Sequence, residues 1–268
     1  MKIVYAASEA AGLLKTGGLG DVARALPLAL SEKRGQEVYL FLPYYGKMKA
    51  DESIRAEKLM DFTVKLSWRN QYCGLYRVKS KKKKLVTYLI DNEYYFCRDR
   101  IYGEMDDGER FSFFSMAILE SLVRLGIHPD IIHANDWQTA FIPTFLHAYY
   151  HEELGQAKTV FTIHNIEYQG KFDFSILGDG FELGVEHSSL MRYDDCINLM
   201  KAAIVCADTV STVSPRYAEE IKTPEYAHRL NYVLEQNAHK LTGILNGIDY
   251  DYYNPAKDLG LVSTFDAR

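Results

Sequence analysis

The first 42 residues constrain this chain more than any other stretch. Residues 2–7 (KIVYAA) form a short apolar, partly β-branched run. A glycine-rich stretch from Gly12 to Gly20 follows, then Asp21 and an apolar periodicity at Val22, Ala25, Leu26, Ala29 and Leu30. Gly35 closes that stretch, and residues 38–42 (VYLFL) are a second continuous apolar run. The pattern predicts strand, glycine loop, helix and strand, with Asp21 capping the helix and Pro27 disturbing it. Two strands joined through a helix run parallel, since a tight turn reaches only an antiparallel partner.

The same alternation continues. Residues 62–66, 72–78 and 85–90 read as strands. The run Lys79 to Lys84 between the last two reads as a solvated hairpin tip rather than a polyanion site. Phe111, Phe114, Ile118, Leu122 and Leu125 share a helical face that Gly126 ends. Strands are then expected at 130–134, 159–163, 209–213 and 244–245. Helices are expected at 137–151, 196–206, 215–221 and 225–237. Strands alternating with helices predict an α/β domain, doubly wound, with a largely parallel, Rossmann-like sheet.

Composition narrows the function classes. Thirty-one basic and 36 acidic residues give a net charge of −5, which excludes a generally basic protein that coats nucleic acid. The longest apolar runs are too short to span a bilayer, and the first residues lack a signal peptide's apolar region. Cys73, Cys97, Cys196 and Cys206 contain no C-x-x-C pair. They read as buried small hydrophobes in a cytoplasmic protein, with no metal centre and no redox cofactor.

Ligands of open α/β sheets bind beyond the carboxyl ends of the strands, so the residues that follow each strand carry the functional signal. After the first strand come Ser8 and Glu9, then Lys15, Gly17, Gly18, Gly20 and Asp21. Asp136 follows strand 130–134, His164 and Asn165 follow strand 159–163, and Asn246 follows the last strand. The glycine loop is neither a Walker A loop nor G-x-G-x-x-G. Its glycines permit close backbone approach, the next helix offers N–H groups to an anion, and Lys15 adds a charge, so it reads as a phosphate site. Asp136 suits sugar hydroxyls or a helix cap, His164 a polar ligand contact, and His133 a structural role. Asp106-Asp107 and Asp194-Asp195 read as surface turns or caps rather than metal ligands. Tyr94, Tyr95 and Phe96 are a candidate aromatic surface for an acceptor sugar.

The ordered set of motifs resembles a known family. KTGGLGD (15–21), GQEVYLFLPYY (35–45), HANDWQ (133–138), TIHNIEYQG (162–170) and LNGID (245–249) are similar to bacterial glycogen synthases and plant starch synthases, in the same order. The resemblance runs from residue 1 to about 255. It implies a retaining GT-B glucosyltransferase that moves glucose from ADP-glucose to the non-reducing end of an α-1,4-glucan, without metal or other cofactor. By position, Lys15, Gly17 and Gly18 would lie near the diphosphate. His164 would lie against the donor glucose, its carbonyl facing the transition state. Asp136, Asn165 and Asn246 would bind sugar hydroxyls, with Glu9, Asp21 and Tyr94 as further contacts. The family continues into a second Rossmann domain of similar size. Residues 1–268 are therefore expected to be an amino-terminal domain with little transferase activity alone. The competing readings are a non-catalytic α-glucan-binding module and, from the βαβ start only, a dinucleotide-dependent oxidoreductase.

Overall fold

Residues 3–6 lose essentially all contact with water because parallel neighbours flank them on both sides. This first strand, β1 (Lys2–Ala6), is the centre of the sheet. The computed structural model describes residues 1–80, 84–180, 185–250, 252–258 and 260–266. After β1 come α1 (Gly18–Glu32), β2 (Glu37–Pro43), α2 (Gly46–Lys49), β3 (Ala56–Leu66), β4 (Arg69–Val78), β5 (Leu85–Asp91) and α3 (Glu93–Phe96). Next are α4 (Asp107–Leu125), β6 (Ile131–Asn135), α5 (Phe141–Tyr149), α6 (His151–Leu154), β7 (Lys158–Ile163) and β8 (Lys171–Phe172). The last elements are α7 (Ile176–Asp179), α8 (Val185–Met191), β9 (Arg192–Tyr193), β10 (Cys196–Asn198), α9 (Leu199–Cys206), β11 (Thr209–Thr212), α10 (Pro215–Glu220), α11 (Asn231–Gln236) and β12 (Leu241–Gly243).

The main sheet has nine strands in the order β12-β11-β7-β6-β1-β2-β5-β4-β3. Pairing is parallel from β12 through β5 and antiparallel along β5-β4-β3. The expected doubly wound, largely parallel sheet is present, with an antiparallel hairpin on one edge. The chain leaves β1 toward β2 on one side and later returns to β6 on the other. Right-handed crossovers in opposite directions put α1 on one face and the α4, α5 and α9 layer on the other. They also make the β1–β6 boundary a topological switch point, where a crevice opens at the strand ends.

Several boundaries differ from the sequence expectation. Asp21 lies in the first turn of α1, and Gly17 is the cap residue. The helix continues through Pro27. The segment 137–151 breaks into a 3-10 turn (Trp137–Thr139), α5 and α6. The expected helix 196–206 begins only at Leu199. Cys196–Asn198 pairs with β8 and β9, and the Asn198 side chain caps α9 by accepting from Lys201 N–H. The helix expected over 225–237 is confined to Asn231–Gln236, and the final strand is Leu241–Gly243 rather than 244–245. Gly126 ends α4 as expected, with φ of 62°. Of the cysteines, Cys73 is buried, Cys196 and Cys206 are half-buried, and Cys97 is exposed, so the expectation of four buried thiols holds in full only at Cys73. Lys81, Lys82 and Lys83, the centre of the lysine run, lie outside the described residues. No helix among the described residues is long and apolar enough to cross a membrane.

Candidate active site

An open cleft of about 840 Å³ lies beyond the carboxyl ends of β1, β6 and β7. Glu9, Asp136, His164 and Asn165 line it, each from the loop after a different strand or from the same loop after β7. Gly17 and Gly18 reach it from the start of α1, and Asn246 from the segment after β12. The topology thus gathers most of the residues that strand-end reasoning singled out.

The glycine loop holds an anion of its own. Glu9 is 3% exposed. One carboxylate oxygen accepts from Thr16 N–H (2.5 Å) and the Thr16 hydroxyl (2.7 Å). The other accepts from Gly17 N–H and Gly20 N–H, both at 3.1 Å. Three backbone donors that the sequence offers to a phosphate are therefore engaged internally. Among the described residues, the N–H groups of Gly18 and Leu19 make no hydrogen bond, and both residues face the cleft. They are the free donors of the α1 N-terminus. Gly20 is required by space, since a Cβ there would lie 2.5 Å from Lys15 Cβ.

The loop after β7 is held by a different carboxylate. Asp136 has φ of 55°, a left-handed backbone that Asp and Asn tolerate better than most residues. It caps no helix with its side chain. Instead its Oδ1 accepts from His164 N–H at 2.7 Å and, more weakly, from Asn165 N–H at 3.4 Å. Burial, opposed by these two amides, pushes its carboxyl up to about 7. Asp136 Oδ2 has no protein partner among the described residues.

His164 is fixed at both ends. Its Nε2 lies 2.9 Å from Asn135 Oδ1, which also accepts from the Tyr5 hydroxyl at 3.0 Å. Asn135 turns its amide nitrogen to the Ala6 carbonyl, so Oδ1 faces both donors and Nε2 carries the ring proton. Burial holds the His164 ring down to about 4, leaving a neutral imidazole. The His164 carbonyl accepts no hydrogen bond among the described residues. His133 bonds Thr162 through Nε2 at 2.6 Å, inside the sheet, and burial lowers it to about 3. That is the structural role its sequence position predicts.

Five predicted residues, Lys15, Asp21, Tyr94, Tyr95 and Phe96, sit elsewhere. Lys15 is outside the cleft lining, paired to Asp21 at 2.7 Å on the rim. Tyr94 is exposed on a separate surface with Arg98 and Asp106, while Tyr95 and Phe96 are fully buried. Three residues went unrecognised. Asn135 orients His164. Asp107, expected in a surface turn, is 5% exposed in the cleft wall beside Arg110. Gln138 lines the same wall, and its Oε1 is buried without a partner among the described residues. The motif HANDWQ contained Asn135 and Gln138, but nothing in the pattern separated them from their neighbours. Asp194 and Asp195 form the left-handed turn between β9 and β10, as a turn reading predicts. Among the described residues no His, Cys, Asp and Glu groups assemble into a metal-binding set.

A family model described as the starch synthase catalytic domain matches residues 2–236. The chain belongs to the starch synthase catalytic domain family. Within that family, a glycogen synthase of Streptococcus equi subsp. equi (strain 4047) is 47% identical over 272 aligned positions, covering 100% of this chain and 56% of the relative. A glycogen synthase of Clostridium novyi (strain NT) is 48% identical over 273, with the same coverage. The chain spans about half the length of the curated relatives it matches. Among solved structures, the catalytic domain of starch synthase IV from Arabidopsis thaliana, bound to ADP and acarbose, superposes with a TM-score of 0.88 at 37% identity. The match covers 98% of this chain and 55% of that one.

Proposed function

We propose that residues 1–268 are the amino-terminal, acceptor-side domain of a retaining glycogen synthase, which transfers glucose from ADP-glucose to the non-reducing end of an α-1,4-glucan. One observation carries the reading. Asp136, His164 and Asn165 meet in a switch-point cleft, in a chain that superposes along nearly its whole length on a starch synthase bearing ADP and acarbose.

In this reading the sugars lie in the cleft and the diphosphate lies toward α1. Asp136 and the Asn165 amide bind sugar hydroxyls, with Asn246 on the opposite side. The free N–H groups of Gly18 and Leu19 face the phosphate, and Lys15 adds charge from the rim. Asp136 and Asn135 fix the peptide and ring of His164. Its unbonded carbonyl then points a fixed dipole at the positive charge that develops on the glucosyl carbon. Glu9 acts through the glycine loop that it holds. A second domain supplies the remaining donor contacts and closes the cleft against water. The compartment we assign is the cytoplasm, in keeping with four free thiols.

The test is calorimetric titration of the 268-residue chain with a maltooligosaccharide, repeated with Asp136→Ala and followed by ADP-glucose. Saturable glucan binding that Asp136→Ala weakens, with little turnover, is the expected result. Saturable binding without dependence on Asp136 would mean that the acceptor lies elsewhere. Robust glucosyl transfer by these residues alone would contradict the need for a second domain.

A further inference from the structure

The sequence offered Tyr94 to Phe96 as an aromatic surface for a sugar, and the fold removes that surface from the cleft. A different aromatic side chain stands there. Tyr168 lines the cleft and is 61% exposed. It makes no hydrogen bond and no ring contact among the described residues. An exposed tyrosine is ordinary on a mobile tip, but this one sits on a loop tied down on both sides.

On the amino-terminal side, Asp136 accepts from His164 and Asn165, and Asn165 Oδ1 accepts from Glu167 N–H at 2.9 Å. On the carboxyl-terminal side, Gln169 is 3% exposed, and both its amide nitrogen and its amide oxygen are hydrogen-bonded. Its Nε2 donates to the Ile166 and His228 carbonyls, and its Oε1 accepts from Asn198. Gly170 follows with φ of 64°, so close to Trp137 that a Cβ would lie 2.7 Å from the indole. The backbone on either side of Tyr168 is therefore fixed, and its ring is presented to the cleft at little entropic cost. Moreover, no lysine or arginine occurs among the described residues that line the cleft, while Glu9, Asp107 and Asp136 do. That wall suits a neutral polyhydroxyl ligand, whose ring carbons need an apolar face to lie against.

We infer that Tyr168 is a stacking platform for one glucosyl unit of an α-glucan at the lip of the cleft, and so sets how strongly longer glucans are preferred. The inference rests on the glucan reading above and adds a binding residue to it. Stacking uses the ring, so the hydroxyl is dispensable and chain length is the variable that reports it.

The experiment is calorimetric titration of the 268-residue chain with maltose, maltotriose and maltopentaose, for wild type, Tyr168→Ala, Tyr168→Phe and Asp136→Ala. In the wild type, affinity rises with length. Tyr168→Ala weakens maltopentaose binding roughly five- to tenfold and flattens the length dependence. Tyr168→Phe retains both, and the melting temperatures of the two Tyr168 variants stay at the wild-type value. Glucan binding that depends on Asp136 but is unchanged by Tyr168→Ala overturns the stacking assignment and leaves the glucan reading intact. An equal loss for all lengths, or a loss in Tyr168→Phe as large as in Tyr168→Ala, also overturns it. Absence of saturable binding by the wild type and by every variant overturns both.

Discussion

The two loops that frame the cleft are each held by one buried carboxylate, yet the carboxylates are used differently. Glu9 spends both oxygens on the glycine loop, accepting from three backbone amides and a hydroxyl. Asp136 spends one oxygen on the loop after β7, through one short and one long bond. The Glu9 carboxylate is saturated by its own chain, whereas Asp136 Oδ2 has no partner among the described residues.

The largest expected effect breaks the first loop. Glu9→Gln replaces an acceptor with an amide nitrogen aimed at backbone donors. It is expected to destabilise the protein by about 3–5 kcal/mol, measured as a shift in the urea midpoint at constant slope. A loss under about 1 kcal/mol would mean that the loop does not depend on this carboxylate.

Asp136→Asn sharpens the contrast, because it should cost binding while helping the fold. The folded carboxyl titrates near 7, above its unfolded value of 3.8. Its contribution to stability is therefore complete below about pH 4 and is lost as pH rises through 7. The asparagine variant escapes that loss and is expected to be more stable by roughly 2–4 kcal/mol at pH 8, with no gain at pH 4. Its glucan affinity should fall at least about tenfold. Equal stability at both pH values would show that the carboxyl does not titrate near 7.

His133 and His164 have the opposite sign. Held down to about 3 and about 4 by burial, they contribute stability above pH 6.5 that is lost as pH falls toward those values. In the wild type the Asp136 gain on acidification offsets part of this loss. Melting temperature should thus drop more steeply between pH 7 and 5 in Asp136→Asn than in the wild type.

Gly170→Ala tests the rigidity of the second loop. A Cβ there meets Trp137 and strains a left-handed backbone, at an expected cost of about 1–3 kcal/mol, with a change in tryptophan emission. The smallest effect belongs to the first loop's rim. The Lys15–Asp21 pair faces solvent, so Lys15→Met should leave the urea midpoint unchanged while weakening any diphosphate contact.

The sequence made the alternation of parallel strands legible because buried strands are nearly continuous apolar runs, as in residues 38–42. The hairpin strands were only partly legible. The start of β3 sets Glu57 beside Lys58 and Leu59 beside Met60, with a register shift between Lys58 and Met60, so no two-residue alternation marks this edge as a strand. Residues 196–198 read as helix because CINLMKAAIVC is mostly apolar, with Asn198 and Lys201 as its only polar residues, and only pairing with β8 and β9 makes the first three extended. In the site, Glu9, Asp136, His164 and Asn165 were found by their positions at strand ends. The partner of Glu9 was not, because backbone amides leave no trace in a residue pattern. Asp107 was misread because an acid at a helix start is usually solvated, and its burial depends on Arg110, itself fully buried. Tyr168 stood inside a recognised motif, but its exposure is a property of the packed loop and not of the motif.

The filled glycine loop also bears on competition among anions. Free phosphate and nucleotides abound in a cell, and an empty nest of amides would bind them indiscriminately. With Glu9 already seated there, the loop amides left to a stray anion among the described residues are those of Gly18 and Leu19. On the donor reading proposed above, a diphosphate would gain a foothold mainly when the sugar attached to it is gripped at the same time. If the proposed donor is right, the internal carboxylate would act as a filter, making entry conditional on both halves of a nucleotide sugar.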